Sequence, residues 1–321
     1  MKHFETHFDE YIQASDECNF YPKHDTIYQS FSNEIKNMHN LILYGRSGCG
    51  KYTQALKIIS KYSPSALKYE KKLQIHTNKN NYIIKISDVH FEIDMSLLGC
   101  NAKILWHEWY NQIIEIVSGR PVKAGIILCK NMHMINNDLL DIFYSYIQNN
   151  SMHKNIHIAF IFITESICFL PENILNCCEV IGYGQPLETK VKKQIKKYNS
   201  KGSSQYNEDV QNIKQLYVTD ISKQDVHEDT INGVIEMVLS GPDNIEFSKA
   251  REKLYELFIY EVDIHSCVWK LLKALIKQGM INNDNIGKII CETQKFFTLF
   301  NNNYRPIYHL ERYIYVIMCL L

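Results

Sequence analysis

The chain has 321 residues, enough for two or three domains, and its hydrophobic content of 45% is that of an ordinary globular protein. Lys and Arg number 35, as do Asp and Glu, so the overall charge gives no case for binding nucleic acid, although a local basic face stays open. No apolar run reaches the roughly 18 residues that span a bilayer. The first residues show no apolar signal segment. We therefore expect a protein that is neither membrane-bound nor secreted.

The first part of the chain predicts a phosphate-binding loop. Residues up to about 39 are polar and aromatic, and we predict an arm with one helix, Ile27 to Met38. Asn40 to Tyr44 then has the pattern of a short strand, and helical spacing follows from Ala55. Between strand and helix lie Gly45, Arg46, Ser47, Gly48, Cys49, Gly50, Lys51, Tyr52 and Thr53. A strand, a glycine-rich loop and a helix in this order surround an anion with backbone N–H groups and a helix N-terminus.

One position of this loop departs from the P-loop pattern, which requires Gly, four residues, Gly, Lys and then Ser or Thr. Gly45, Gly50 and Lys51 satisfy the pattern, but Tyr52 stands where a hydroxyl would hold Mg²⁺. Thr53 is a poor substitute, because one residue along a helix rotates a side chain by roughly 100°. We predict that the nine loop residues bind ATP or ADP and that this chain holds no Mg²⁺. The alternative, a glycine-rich turn with a chance lysine, does not explain why strand and helix fall where the motif needs them.

Alternating strands and helices follow the loop, a pattern that predicts a mostly parallel sheet with crossover helices. The predicted strands are Lys72–His76, Tyr82–Ile86, Val89–Ile93, Ala124–Cys129 and Ile156–Ile163, and the helices are Lys103–Val117 and Asn137–Gln148. Turn residues at Asn78–Asn81 make the first two strands a hairpin. The character changes at Pro186, where a Lys-rich and then Ser-, Gly- and Asn-rich segment begins. The last predicted helices are Phe247–Tyr260, Ile264–Lys277, Ile286–Phe300 and Ile307–Leu321, and they indicate a separate helical domain.

From about residue 20 to 321 the chain resembles the small subunits of the replication factor C clamp loader, and most closely the third subunit of animals. The similar stretches are Gly50–Thr53, Tyr82–Asn101 (particularly His90–Ile93), Arg251–Leu257 and Ile307–Glu311. The resemblance implies an α/β fold of the AAA+ class. It divides the chain into a P-loop domain with an N-terminal arm at 1–186, a shortened helical lid at 187–230 and a helical collar for oligomerisation at 231–321.

The resemblance also marks several functional positions that this chain has altered. The acids that hold Mg²⁺ and activate water fall in Leu128–Met132, where Cys129 and Lys130 carry no carboxylate. The sensor asparagine falls near Thr164 or Glu165, the arginine finger at Cys177, and a basic pair at Phe143–Tyr144. Charged groups supply most of the rate in phosphoryl transfer. We therefore predict no catalytic residue, no intrinsic ATPase activity and no triggering of a neighbouring site.

The function implied is a non-hydrolysing subunit of a hetero-pentameric clamp loader in DNA replication. Its partners would be other clamp-loader subunits, a PCNA-like sliding clamp and primer–template DNA, the last through Lys68–Lys72, Lys103 or Lys190–Lys197, each of which is also explained as a solvated charge. High Asn, Ile, Lys and Tyr content favours a viral source, acting in the nucleus or at a cytoplasmic viral replication site. Two alternatives stay open: an active P-loop NTPase (helicase or packaging motor) with acids from Asp88, Asp94 or Asp138, and a replication scaffold without nucleotide.

Overall fold

The computed structural model describes residues 7–17, 19–76, 81–152, 156–184, 221–242, 246–260, 262–300 and 305–321. The chain divides into two compact units, Met1–Tyr217 and Val218–Leu321. The predicted hairpin turn at Asn78–Asn81 falls largely outside the described residues. So do the basic run Lys190–Lys197 and most of the predicted lid at 187–230.

The N-terminal unit contains a seven-stranded sheet. Its strands are β1 (Asn40–Gly45), β2 (Lys71–His76), β3 (Asn81–Ile86), β4 (His90–Asp94), β5 (Ala124–Lys130), β6 (His157–Thr164) and β7 (Cys178–Tyr183). Their order is β2-β3-β4-β5-β6-β1-β7. All neighbours from β4 to β7 pair in parallel, whereas β2 and β3 form an antiparallel hairpin that joins β4. The sheet confirms every predicted strand.

Helices cover both faces of this sheet. They are α1 (Phe8–Glu17), α2 (Asp25–Ser30), α3 (Lys51–Ser60), α4 (Ala102–Ser118), α5 (Asn137–Met152) and the short α6 (Glu172–Leu175). Successive residues of a strand face opposite sides of a sheet. Leu41 and Leu43 accordingly pack with α1 and α3, while Ile42 packs with α4 and α5. The central strands are apolar throughout because both of their faces are buried.

These features confirm the predicted α/β fold, in which a mostly parallel sheet carries the loop from Gly45 to Thr53 and a helical region follows. Strand β6 lies between the loop-bearing strand β1 and strand β5. The carboxyl ends of β1, β5 and β6 therefore meet at the edge where the P-loop leaves the sheet.

Three local predictions need correction. The helix predicted from Ile27 to Met38 ends at Ser30, because Phe31 is extended with ψ of 145°, and a short 3₁₀ turn follows at Ile35–Asn37. Helix α1 was not predicted, although its apolar residues are spaced as one buried face. Strand β7 was also missed, because it is only six residues long and lies at the edge of the sheet with about half of its residues exposed.

The C-terminal unit consists of helices in its described part. They are α7 (Ile221–Leu239), α8 (Phe247–Ile259), α9 (Ile264–Lys277), α10 (Ile286–Phe300) and α11 (Pro306–Leu320). The last four match the predicted helices. Helix α7 runs through residue 231, where the collar was predicted to begin. The division into arm, lid and collar stays a prediction.

Two stretches named for their family resemblance meet in this unit. Arg251 on α8 donates from Nε and an Nη to the two carboxylate oxygens of Glu311 on α11, at 2.5 and 2.9 Å. Glu311 is 6% exposed, and the guanidinium of Arg251 also lies 4.7 Å from the ring of Phe247. A bidentate pair of this kind fixes the relative position of two helices.

None of the helices described here is both long enough and apolar enough to cross a membrane.

Candidate nucleotide site

The predicted phosphate loop joins β1 to α3, and two of its glycines are sterically required. Gly50 precedes α3 with φ of 92°, a left-handed conformation that costs a residue with a Cβ about 1–2 kcal/mol. At Gly45 a Cβ would lie 2.3 Å from the carbonyl oxygen of Tyr183 on the neighbouring strand β7. The loop therefore keeps the backbone shape that the sequence pattern predicts.

The Lys51 ammonium lies within the loop. Its Nζ donates to the carbonyl oxygens of Gly45 at 2.6 Å and Arg46 at 2.8 Å, and the residue is 7% exposed. Burial lowers the pKa of Lys51, against the opposing effects of Cys49 and Glu165. A phosphate at the N-terminus of α3 would offer Lys51 a charged acceptor in exchange for these neutral carbonyls.

A cavity of about 250 Å³ opens beside the loop. Six of the nine predicted residues line it: Ser47, Gly48, Gly50, Lys51, Tyr52 and Thr53. The opposite wall comes from the ends of β5 and β6, with Tyr11 of α1 at its side: Asn131, His133, Ile163, Thr164 and Glu165. Ligands of parallel sheets bind at the carboxyl ends of the strands, as this cavity would require. Gly45, Arg46 and Cys49 shape the loop without lining the cavity.

The residues at the altered catalytic positions lie in different surroundings, and most of them are buried. Cys129 is wholly buried in the core, where burial raises the pKa of its thiol and keeps it uncharged. Thr164 is also buried, and its hydroxyl donates to the carbonyl of Ser166 at 2.6 Å. Phe143 lies in the core with its ring 4.7 Å from that of Trp106. Cys177 is exposed before β7 and distant in sequence from the loop.

Tyr52 reaches across from α3 to the sheet and contacts the carboxylate of Glu92, a residue to which the sequence assigns no role beyond its place in the similar stretch His90–Ile93. Its hydroxyl donates to Oε1 of Glu92 at 2.6 Å. Lys130 Nζ lies 3.5 Å from Oε2 of the same carboxylate and 5.4 Å from the centre of the Tyr52 ring. Glu92 pairs with Leu128 across β4 and β5, so Glu92 and Lys130 project from the same face of the sheet. We call these three residues the tyrosine network.

The charges within the tyrosine network are fixed by burial and by each other. Burial raises the pKa of Glu92, but His90, Lys130 and Tyr52 together outweigh it and lower that pKa below its usual value. His90 Nε2 lies 3.7 Å from Glu92 Oε1. Burial and the neighbouring carboxylate raise the pKa of Tyr52 far above its usual value, so the phenol keeps its proton. At neutral pH the network therefore contains an anionic Glu92 between a phenol donor and an ammonium.

These residues do not fit a bound Mg²⁺. The ion takes a near-octahedral set of oxygen ligands, typically one or two carboxylates with waters and phosphates. The group that follows Lys51 is a phenol that donates to Glu92, and Glu92 already pairs with Lys130. No reaction step through a metal ion can be assigned to this set of side chains.

The acids considered for an active NTPase lie elsewhere. Asp88 accepts from the hydroxyl of Ser63 at 2.7 Å. Asp94 accepts from the amide of Asn131 at 3.0 Å and is also bound by Ser96. Neither lines the cavity, and Asp138 is exposed at the start of α5. Among the described residues that line the cavity the carboxylate is Glu165, which the family resemblance marks only as a possible sensor position.

The segment before β1 also contributes, beyond the arm that was predicted. The Tyr11 ring packs edge-on against the Tyr52 ring, with centroids 4.9 Å apart. The hydroxyl of Tyr21 lies 2.7 Å from the carbonyl oxygen of Cys49 in the loop and 2.7 Å from that of Gly184 after β7. Aromatic residues in an otherwise polar segment were the signal for this role.

No protein-family model matches the chain. A search of curated proteins likewise gives no match.

Among solved structures the chain is similar to RuvB of Thermotoga maritima. A RuvB variant is 15% identical with a TM-score of 0.36, over 60% of this chain and 52% of that one. A structure described as the RuvB Holliday junction branch migration motor is 13% identical with a TM-score of 0.37, over 81% of this chain and 73% of that one. The chain thus spans about half the length of the first of these structures and about three quarters of the second.

Proposed function

We propose that this chain is a non-hydrolysing, nucleotide-binding subunit of a DNA sliding-clamp loader. In this role it binds ATP or ADP at the loop from Gly45 to Thr53, while partner subunits hydrolyse ATP and load a PCNA-like clamp onto primer–template DNA. The observation that carries the proposal is the tyrosine network. Tyr52 and Lys130 stand where hydrolysis would need a metal-binding hydroxyl and an acid, and both bind Glu92 instead. The glycines and Lys51 of the phosphate loop are retained beside them.

The absence of hydrolysis follows from the charges. Phosphoryl transfer from ATP to water needs a group that orients or deprotonates the water, together with cations that meet the charge of the transition state. Lys130 puts an ammonium where a base would have to stand, and an ammonium cannot accept a proton from water. Its positive charge is already balanced by Glu92 at 3.5 Å. Lys51 is then the remaining cation among the side chains described as lining the cavity.

The clamp-loader assignment draws on the resemblance, and the C-terminal unit supports it. Arg251 and Glu311 belong to two separate similar stretches, and they form one bidentate ion pair. The same unit exposes large apolar side chains on α8 and α9, among them Ile259 at 70% and Trp269 at 51%. Exposed apolar side chains are what a helical collar would bury against neighbouring subunits.

Co-purification and an ATPase assay test this proposal together. The chain, expressed with candidate clamp-loader subunits from the same source, is expected to form a stable complex. That complex should hydrolyse ATP, and its rate should be unchanged by Lys51→Ala in this chain. The chain alone should show no activity above a buffer blank. A chain that stays monomeric and binds neither a clamp nor another subunit would exclude the clamp-loader role.

Glu165 favours one alternative, an active NTPase. Its side chain lines the cavity on the wall opposite the loop, as a general base would have to. If the purified chain hydrolyses ATP at an ordinary rate and Glu165→Gln abolishes the activity, this alternative replaces the non-hydrolysing role. A nucleotide-free scaffold is the third candidate. It is excluded if ATP or ADP binds with micromolar affinity and Lys51→Ala removes the binding.

A further inference from the structure

We propose that the site binds nucleoside di- and triphosphates without a divalent cation, and that the tyrosine network is what excludes the cation. This inference rests on the proposed nucleotide binding. It adds that the site accepts the free nucleotide rather than its complex with a divalent cation. It assigns this preference to Tyr52, Glu92 and Lys130.

The first step concerns the residue after the P-loop lysine. A Ser or Thr hydroxyl at this position would lie close to the helix backbone and could bind a metal ion. The Tyr52 hydroxyl lies at the far end of a ring and donates to Glu92 at 2.6 Å. The ring itself is held by the edge-on contact with Tyr11, with centroids 4.9 Å apart. Tyr52 therefore occupies space beside the loop and offers no oxygen to a cation there.

The second step concerns Glu92. Both of its carboxylate oxygens are engaged, Oε1 by the Tyr52 hydroxyl and Oε2 by Lys130 Nζ at 3.5 Å. With 3% of the residue exposed, water cannot readily replace either partner. A metal ion at Glu92 would have to displace the Lys130 ammonium, whose side chain is 32% exposed, and would place two cations beside one carboxylate. The repulsion between the two cations opposes this exchange.

The third step concerns the other carboxylates nearby. Asp94 accepts from Asn131 and Ser96 and lies outside the cavity lining. Glu165 is the one carboxylate among the described residues that line the cavity, and it lies on the wall opposite the loop, so a cation there would take its other oxygens from phosphates and waters. The loop can still bind a phosphate through its backbone N–H groups and Lys51. Neither of these contacts requires a metal ion.

Removing Tyr52 and Lys130 from Glu92 should reverse this property. In the double variant Tyr52→Thr/Lys130→Ala, Glu92 keeps His90 at 3.7 Å but loses its phenol donor and its ammonium counter-ion, and a hydroxyl returns to the position after Lys51. A buried carboxylate that has lost its counter-ion gains from a new cation. We therefore expect the double variant to bind a divalent cation beside the nucleotide.

The matched control is Tyr69→Thr/Lys71→Ala. Lys71 Nζ lies 5.1 Å from the Tyr69 ring centre, so this pair has the same residue types in a similar contact. Tyr69 is 42% exposed, and neither residue lines the cavity. The control should behave like the unaltered chain.

The experiment measures Kd for ADP and for ATP by calorimetry on the full chain, in excess EDTA and in Mg²⁺. For the unaltered chain the two conditions should agree within about threefold. For the double variant, Mg²⁺ should tighten binding at least tenfold, and Mn²⁺ should give a bound electron paramagnetic resonance signal in the presence of ADP. Lys130→Ala alone removes the counter-ion from Glu92 and keeps the Tyr52 ring in place. It should be tightened by Mg²⁺ less than the double variant and more than the unaltered chain, and it provides the test if the double variant does not fold.

The outcomes separate the two proposals. Tenfold or greater tightening by Mg²⁺ in the unaltered chain overturns metal-free binding and leaves nucleotide binding intact. A folded double variant that stays indifferent to Mg²⁺ and binds no Mn²⁺ overturns the role given to the network. Binding of neither nucleotide in either condition overturns the nucleotide site itself, and with it this inference.

Discussion

Replacing Tyr52 by Phe isolates one hydrogen bond of the tyrosine network. The ring, its edge-on contact with Tyr11 and its contact with Lys130 all remain, and only the donor at 2.6 Å from Glu92 is lost. Hydrogen bonds to charged groups contribute about 1.5–3 kcal/mol. Glu92 is too buried for water to replace the donor. We therefore expect the free energy of unfolding of the N-terminal unit to fall by about 2 kcal/mol.

Tryptophan fluorescence can follow this unit alone. The chain has three tryptophans, of which Trp106 and Trp109 lie in the N-terminal unit and Trp269 in the C-terminal unit. In a Trp269→Phe background the fluorescence change on heating reports the N-terminal unit. A loss of about 2 kcal/mol should lower its Tm by roughly 4–8 °C for a unit of this size. Tyr69→Phe, at an exposed phenol, is the control and should change Tm little.

The pH dependence gives a second check. Because the folded-state pKa of Glu92 lies below its unfolded value, its stabilisation is complete above the unfolded value of about 4.3 and is lost as the pH falls through the folded value. Without the Tyr52 hydroxyl the folded pKa rises, so the variant has less of this stabilisation to lose. The difference in Tm should be largest near pH 6–7 and should shrink toward pH 3. Equal Tm values at neutral pH, or a difference that does not shrink in acid, would refute the reasoning.

Three further outcomes follow from single contacts. Gly45→Ala should destabilise the N-terminal unit by more than about 2 kcal/mol, since its Cβ would lie 2.3 Å from the Tyr183 carbonyl oxygen; an unchanged thermal midpoint would show that β7 can move aside. Arg251→Met should lower the urea midpoint of the C-terminal unit, because the buried Glu311 loses both of the N–H groups that bind it; Glu311→Gln should lower it less, and the reverse order would contradict the paired geometry. Lys51→Met should weaken ADP binding at least tenfold by calorimetry, and an unaltered Kd would show that the backbone alone holds the phosphates.

Much of the fold could be predicted because its signals are local. Strands β1, β5 and β6 are buried on both faces, so their sequences are nearly continuous apolar runs that are easily recognised. The P-loop glycines are fixed by local backbone geometry. Strand β7 was missed because it is short and leaves one side exposed at the sheet edge, and helix α1 because its apolar residues lie in an otherwise polar segment.

The site was harder to predict, because it depends on which strands are neighbours. Glu92 lies 40 residues from Tyr52 and 38 from Lys130 in the chain. Only the pairing of β4 with β5 brings these side chains together. The sequence showed that Tyr52 replaces a hydroxyl residue and that Lys130 stands where an acid is expected. It could not show that both side chains bind Glu92 on strand β4.

The position of the Tyr21 hydroxyl has a consequence for how the loop is anchored. Two carbonyl oxygens lie at the same distance of 2.7 Å from it, that of Cys49 in the phosphate loop and that of Gly184 just after β7. A phenol has one proton, and the two carbonyls share it in a three-centre hydrogen bond. A single side chain from the segment before β1 thus ties the phosphate loop to the end of β7, and losing its hydroxyl would loosen both places at once.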